Sequence, residues 1–401
     1  KDTARAGRGP RMEKNGPRTG NWAHNARLRS AQNVKPAGAI GATAPAHPNQ
    51  PPDTTLPRPN KQSSHLRYPD IDPPKNAAMT ELASGMRWIR LPVPGGLSHI
   101  NVWLIADHDG WTLVDTGMGI EPVTIAWEGL LLQLDATPIR RIIVTHHHPD
   151  HFGQAAWLAE RCNVEVWMTD AEFDSALGPR HIDPLERASQ RRQSLEKNGM
   201  SIGDDIAPFL SGKGYHRIIS GIPEKIRPIR DGELVTIGDR QWQIIVTAGH
   251  ANGHAALYCE PIGTLISGDH VLPTISPNIS LWSEDSAADP LEDYLSSFSR
   301  FRELPAETLV LPSHGRVFHG LHERLDELEA EHRVALETAL AACESPQSAA
   351  ELIPVLFPRK LDSLNTLLAF GEAMAHLRYL LRTQAVSQIS DTATIRYLRT
   401  T

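Results

Sequence analysis

Apolar and polar positions alternate with a period of two over residues 88–93, 100–106 and 111–116, and the last two runs flank the turn-forming residues Asp-His-Asp-Gly at 107–110. This predicts a hairpin-rich β opening. A helical period over 123–134, a strand over 141–145, a helix over 153–161 and a strand over 164–168 follow, the alternation expected of a layered α/β domain. Residues 170–213 read as amphipathic helix, with Arg187, Arg191, Arg192 and Lys197 among them, and are expected to form an inserted lid. Strands are expected again at 241–247, 256–259, 264–267 and 308–311, with a helix over 291–304 between the last two. From residue 322 the texture changes to a long charged helix, a short helix over 349–357, a third helix over 364–382 and two short β segments within 386–398. Three helices and a β-hairpin predict a winged-helix-like module.

Composition adds boundaries to this picture. Residues 1–77 hold 12 of the 31 prolines and 13 Lys and Arg against 5 Asp and Glu, with almost no periodic apolar pattern, so they read as a disordered, basic, Pro-rich tail. The tail is expected to be a flexible extension or a stretch upstream of a start at Met79; a transit peptide or a polyanion-binding arm is the alternative. The expected division is therefore a tail at 1–77, a catalytic domain at 78–321 containing the lid, and a winged-helix-like domain at 322–401. No run of 18 apolar residues occurs, so no membrane-spanning helix is expected. The three cysteines, Cys162, Cys259 and Cys343, form no Cys-X-X-Cys pair, which argues against a disulfide framework and a thiolate zinc site and fits a reducing, cytoplasmic setting. Histidine is the outlier, with 19 in 401 residues.

The histidines are grouped. Residues 145–153 read Thr-His-His-His-Pro-Asp-His-Phe-Gly, where a strand ending at Thr145 throws His146 and His148 to one side while Asp150 and His151 turn back at a helix start. Four groups of metal-ligating type then converge. Val-Asp-Thr-Gly stands before this segment at 114–117, and further along come Thr-Ala-Gly-His at 247–250, Ser-Gly-Asp at 267–269 and Leu-Pro-Ser-His at 311–314. In this order the five segments resemble the motifs of the metallo-β-lactamase fold superfamily, over about residues 86–320, and within it the glyoxalase II-like hydrolases.

The resemblance implies a four-layer αββα sandwich and fills all seven ligand positions of the dinuclear members. His146, His148 and His250 would hold one ion, Asp150, His151 and His314 the other, and Asp269 would bridge them, with the two ions roughly 3.5 Å apart. Imidazoles suit zinc, iron or manganese, and two carboxylates offset part of the +4 charge; two divalent ions, zinc first among them, are the expected cofactors. A hydroxide between them would attack an ester, thioester, lactone or phosphodiester centre, with Asp150 orienting it or taking its proton. Asp115 is expected to brace the ligand loops. His147 should point away from the cluster, by the period of two, and His254 and His270 should support it from behind. Tyr215, Asn278 and Trp282 are pocket-lining candidates, while His319, His322, His332 and His376 read as structural or exposed. Ser267 and Ser313 lack the setting of a serine nucleophile.

One fold hosts many activities, so departures from each pattern prune the choices. True β-lactamases lack a bridging carboxylate, and flavo-diiron proteins carry a carboxylate where His148 stands; the remaining expectation is a hydrolase of a small ester, thioester or lactone. The rivals are a single-strand endoribonuclease and a mononuclear iron sulfur dioxygenase, and a non-catalytic binding role also stays open. Residues 78–321 carry 19 Lys and Arg against 31 Asp and Glu, a poor electrostatic trap for a polyanion, so a nucleic-acid partner is not expected. The third C-terminal helix is mostly apolar and reads as a buttress of the core or a homodimer contact.

Overall fold

The computed structural model describes residues 65–401 apart from 76, 83–84, 135–136, 179–182, 204–205, 211–212, 284–285, 390–392 and 401. Most of the expected tail, residues 1–64, lies outside the described residues. Two sheets form the centre. The first has seven strands in sequential order, β1 (Ala78–Leu82), β2 (Met86–Pro92), β3 (His99–Asp107), β4 (Gly110–Val114), β5 (Ile139–Ile143), β6 (Val166–Met168) and β7 (Arg227–Pro228). It is antiparallel through β4 and parallel from β4 to β7. The second has five strands in the order β12 (Leu309–Pro312), β11 (Thr264–Gly268), β10 (His254–Cys259), β9 (Arg240–Thr247) and β8 (Leu234–Ile237), antiparallel except for β11 with β12.

Strand alternation explains how the sheets stack. Alternate residues of β2 to β5, including Trp88, Trp103, Ile105, Val114 and Ile143, pack against Val235, Trp242, Ile244, Leu257 and Leu311 of the second sheet. The opposite face of the first sheet, with Ile89, Val102, Leu104 and Ile142, is covered by α1 (Glu121–Leu134), through Val123, Trp127 and Leu130, and by Leu158 of α3 (Ala155–Cys162). The outer face of the second sheet, with Ile245, Ala256 and Leu265, meets Leu291, Tyr294, Phe298 and Phe301 of α8 (Pro290–Arg302). Helices, sheet, sheet and helices make the four-layer αββα sandwich. Short α2 (Pro149–Phe152) precedes α3, which lies within two residues of the helix expected over 153–161. The region 170–213 holds α4 (Asp170–Leu177), α5 (Pro184–Lys197), α6 (Ala207–Leu210) and the start of α7 (Lys213–His216).

At the C-terminal end come α9 (Leu321–Ala342), α10 (Ala349–Leu356), α11 (Ser363–Arg382) and a hairpin of β13 (Val386–Ile389) and β14 (Arg396–Arg399). Leu325 and Leu328 of α9 and Phe370 and Leu377 of α11 share one apolar cluster with α8, so these helices extend the core rather than sit beside it. The expected tail ends earlier than residue 77. Arg67 exchanges backbone hydrogen bonds with His319, Leu66 is buried, and the Arg316 guanidinium donates to the Pro69 carbonyl. Among the described residues no helix is long and apolar enough to cross a membrane.

Candidate metal centre

Asp115 follows β4 in a left-handed conformation, φ +63°, which aims its carboxylate along the end of β5. There it accepts hydrogen bonds from the Thr145 backbone N–H at 2.8 Å, from the Thr145 hydroxyl, and from His151 Nδ1 at 2.8 Å. One side chain therefore fixes both ends of the 145–151 segment. His146 Nδ1 in turn donates to Thr145 Oγ1 at 3.0 Å.

The other candidate histidines are held the same way from other elements. His250, in the loop after β9, donates from Nδ1 to the Asn278 carbonyl at 2.9 Å; His314, after β12, donates to the His99 carbonyl at 2.7 Å. In all four rings Nδ1 is committed to a protein oxygen, which turns Nε2 inward. His148 faces inward with Nδ1, 2.9 Å from His146 Nε2, and His250 Nε2 lies 3.2 Å from the same atom.

These nitrogens converge on Asp269. Its Oδ2 is 3.4 Å from His250 Nε2 and 4.0 Å from His146 Nε2, while its Oδ1 is 3.3 Å from His151 Nε2 and 3.4 Å from His314 Nε2. Asp150 Oδ2 lies 3.3 Å from His314 Nε2. Two groups result, His146, His148, His250 and Asp269 on one side and Asp150, His151 and His314 on the other, each with its ligand-type atoms within 4.8 Å of one another. His151 Nε2, His314 Nε2 and Asp269 Oδ1 are buried and have no hydrogen-bond partner. Imidazole nitrogens and carboxylate oxygens packed this closely are costly unless a proton or a metal cation lies between them. The donor set fits divalent ions: two ligands each about 2.1 Å from a tetrahedral ion stand roughly 3.4 Å apart.

Electrostatics divides the two groups. Burial, with His151 and the other rings as neighbours, drives His146 well below the ordinary histidine range, and burial with His250 does the same to His148, so both stay neutral, as ligands must be. Burial works against a proton on His151, but Asp269, Asp115 and Asp150 outweigh it and raise that ring well above the ordinary range. The same carboxylate field would favour a cation.

The remaining expectations sort by contact. His147 turns from the cluster, its N–H and Nδ1 bonding Glu172 Oε2 at 2.9 and 2.6 Å, and Tyr215 donates to the His147 carbonyl. His254 Nε2 accepts the Asp269 backbone N–H at 3.2 Å; burial and His250 lower its pKa to about 3, which keeps that nitrogen an acceptor. Gly268 makes this approach feasible, since at φ +55° a Cβ there would lie 2.2 Å from His254 Nε2. His270 bonds Thr247 and Ser297, and its carbonyl accepts the Tyr294 hydroxyl. His319 and His322 bond backbone carbonyls, and His332 and His376 are buried among the helices. Trp282 is 40 % exposed and lies against Gly371, while Asn278 serves through its carbonyl.

Three supporting residues escape sequence reasoning. Asn101, fully buried in β3, donates to the Pro312 and Gly315 carbonyls on either side of His314, and His99 Nε2 accepts the Gly315 N–H. Glu172 on α4 takes two hydrogen bonds from His147 and one from the Gly253 N–H at 2.7 Å, joining the loop of His146 and His148 to the loop of His250. A polar residue in an otherwise apolar strand is a signal for Asn101; nothing local marks Glu172.

Comparison with known proteins agrees with this architecture. Residues 95–314 match the family described as the Metallo-beta-lactamase superfamily, and residues 336–400 match a Metallo-beta-lactamase-like, C-terminal domain. A solved beta-lactamase domain protein from Burkholderia ambifaria is 38 % identical with a TM-score of 0.75, covering 84 % of this chain and 97 % of that one. A probable metallo-hydrolase of Bacillus subtilis is 25 % identical over 77 % of this chain and 96 % of its own. A human acyl-coenzyme A thioesterase is 26 % identical over 64 % of this chain and 86 % of its own. A hydroxyacylglutathione hydrolase from Serratia proteamaculans is 24 % identical over 53 % of this chain and 61 % of its own.

Proposed function

Because the chain belongs to the metallo-beta-lactamase superfamily and is a metal-dependent hydrolase with thioesterase and glyoxalase II-like relatives, we propose that it uses two divalent ions to hydrolyse a small ester, thioester or lactone, a thioester first among these. The observation that carries the reading is Asp269, which turns one carboxylate oxygen to each group of imidazoles. His146, His148 and His250 would hold one ion and Asp150, His151 and His314 the other, with Asp269 able to serve both; zinc suits this donor set, as do iron and manganese. When bound, such ions supply an acidified water and an electrophilic contact for a carbonyl oxygen.

The protein's own residues do the rest. Asp150, whose Oδ2 faces His314, takes the water proton or orients the water. Water oxygen bonds to the carbonyl carbon, the C–S bond breaks, and the sulfur leaves with a proton, giving acid and thiol. Asp115, His254 and the carbonyls of His99 and Asn278 keep the cluster from shifting during that cycle. We assign this chemistry to residues 78–321, acyl-group selection to the helices of 170–213, and a supporting role to 322–401. Two of the named relatives act on thioesters by their names, which supports reading a thioester as the substrate.

The test is a panel of acyl-coenzyme A and hydroxyacylglutathione thioesters, p-nitrophenyl esters, lactones and single-stranded RNA, with zinc, iron and manganese counted in the purified protein. Thioester turnover lost in His148→Ala, with two ions per chain, is expected. Cleavage of RNA with every thioester, ester and lactone inert would overturn the proposal.

A further inference from the structure

Glu372, on α11, is an acid that the hydrolytic chemistry leaves unused. Burial pushes its pKa up to about 7, against the opposing hydrogen bond from Asn278. A carboxyl group in that state weakens the fold near neutral pH, so stability does not account for its place. Its surroundings suggest what does.

Asn278 Nδ2 donates to Glu372 at 3.2 Å and to the Leu368 carbonyl at 3.3 Å, both on α11, and Asn278 Oδ1 accepts the Ser280 hydroxyl at 2.5 Å. The Asn278 side chain is thus saturated by α11 and its own loop. The backbone carbonyl of the same residue accepts His250 Nδ1. A single residue therefore separates the C-terminal helix from a candidate metal ligand. The contact is built at close range: the Leu281 N–H donates to the Gly371 carbonyl at 2.9 Å, and a Cβ at Gly371 would stand 2.5 Å from Ser280 Oγ.

We propose that Glu372 is a positioning residue, which by clamping the Asn278 side chain to α11 fixes the carbonyl that orients His250, so that the C-terminal helices are part of the support of the hydrolytic centre. The proposal rests on His250 being a metal ligand, as read above. A carbonyl free to swing would let the His250 ring rotate and spread the ligand geometry, and outer partners of this kind govern metal affinity.

The test measures zinc affinity of the full chain by competition with a chromogenic chelator, which needs no substrate. Glu372→Ala and Asn278→Ala are each expected to weaken zinc binding about tenfold, and the double variant no further than Asn278→Ala alone, because Glu372 acts only through Asn278. Asn278→Ala keeps the backbone carbonyl, so its loss reports the clamp and not the acceptor. Glu372→Gln, which still offers an oxygen to Asn278, is expected to stay within about twofold of the parent and, should Glu372→Ala not fold, carries the test with Asn278→Ala. Unchanged affinity in Glu372→Ala or Asn278→Ala, or losses that add in the double variant, would overturn the clamp if His250→Ala loses zinc. If His250→Ala binds zinc like the parent, the ligand reading itself fails and the clamp with it.

Discussion

His151 and His250 stand on opposite sides of Asp269 and are supported in different ways. His151 is fully buried and tied to Asp115, which also holds Thr145, so its orientation is set within the ends of two neighbouring strands of the first sheet. His250 is partly buried and rests on a carbonyl in a loop held by α11 of the C-terminal helices. The rigid side is built from one sheet, and the other depends on a distant helix staying docked. Support taken from a charged side chain inside the sheet should be hard to perturb without damaging the fold; support taken through a loop should be separable from it.

The strongest test of that contrast is Asp115→Ala. It strands the Thr145 N–H, the Thr145 hydroxyl and His151 Nδ1–H together, and is expected to cost about 3–5 kcal/mol of stability along with zinc affinity; a urea melt beside chelator competition checks both. A stable Asp115→Ala protein that merely lost zinc would erase the distinction between the two sides. Glu172→Ala spans them, since it frees donors from His147 and Gly253. A loss of about 3 kcal/mol is expected, seen in the same melt, with thioester kcat falling more than KM rises.

Glu372→Gln sharpens the comparison through pH. The acid's pKa rises from 4.5 to about 7 on folding, so the folded state binds the extra proton between those values and stability falls as pH rises through that window. The rise corresponds to roughly 3 kcal/mol, reduced to about 2 kcal/mol by partial solvent access. Glu372→Gln should therefore melt higher than the parent at pH 8 and about equal to it at pH 4.5; a pH-independent difference contradicts the assignment. The smallest effect is expected at the amino end. Starting the chain at residue 78 instead of 65 removes buried Leu66 and the Arg67 pairing with His319, for a loss of about 1.5 kcal/mol in a thermal melt and little change in thioester kcat.

How much of this was legible depended on the distance over which each signal acts. A layered α/β domain followed from period-two and helical patterns and its αββα order from the family resemblance, while β1, β7 and β8 carry no readable pattern, being two to five residues long and, in β8, half exposed. Residues 66–71 have no period of their own and are ordered by contacts to residues far downstream, so composition alone extends the tail past them.

The chain's own order of residues determined that seven groups of ligating type occur in four separate motifs, because chemistry of that kind is written in residue identity and short spacing. Only the tertiary structure decided which oxygen of Asp269 faces which imidazoles, and that Asn101, Glu172 and Glu372 stand behind them. Those partners lie between 25 and 214 positions apart, and hydrogen bonds closed across such separations leave no periodic trace along the chain.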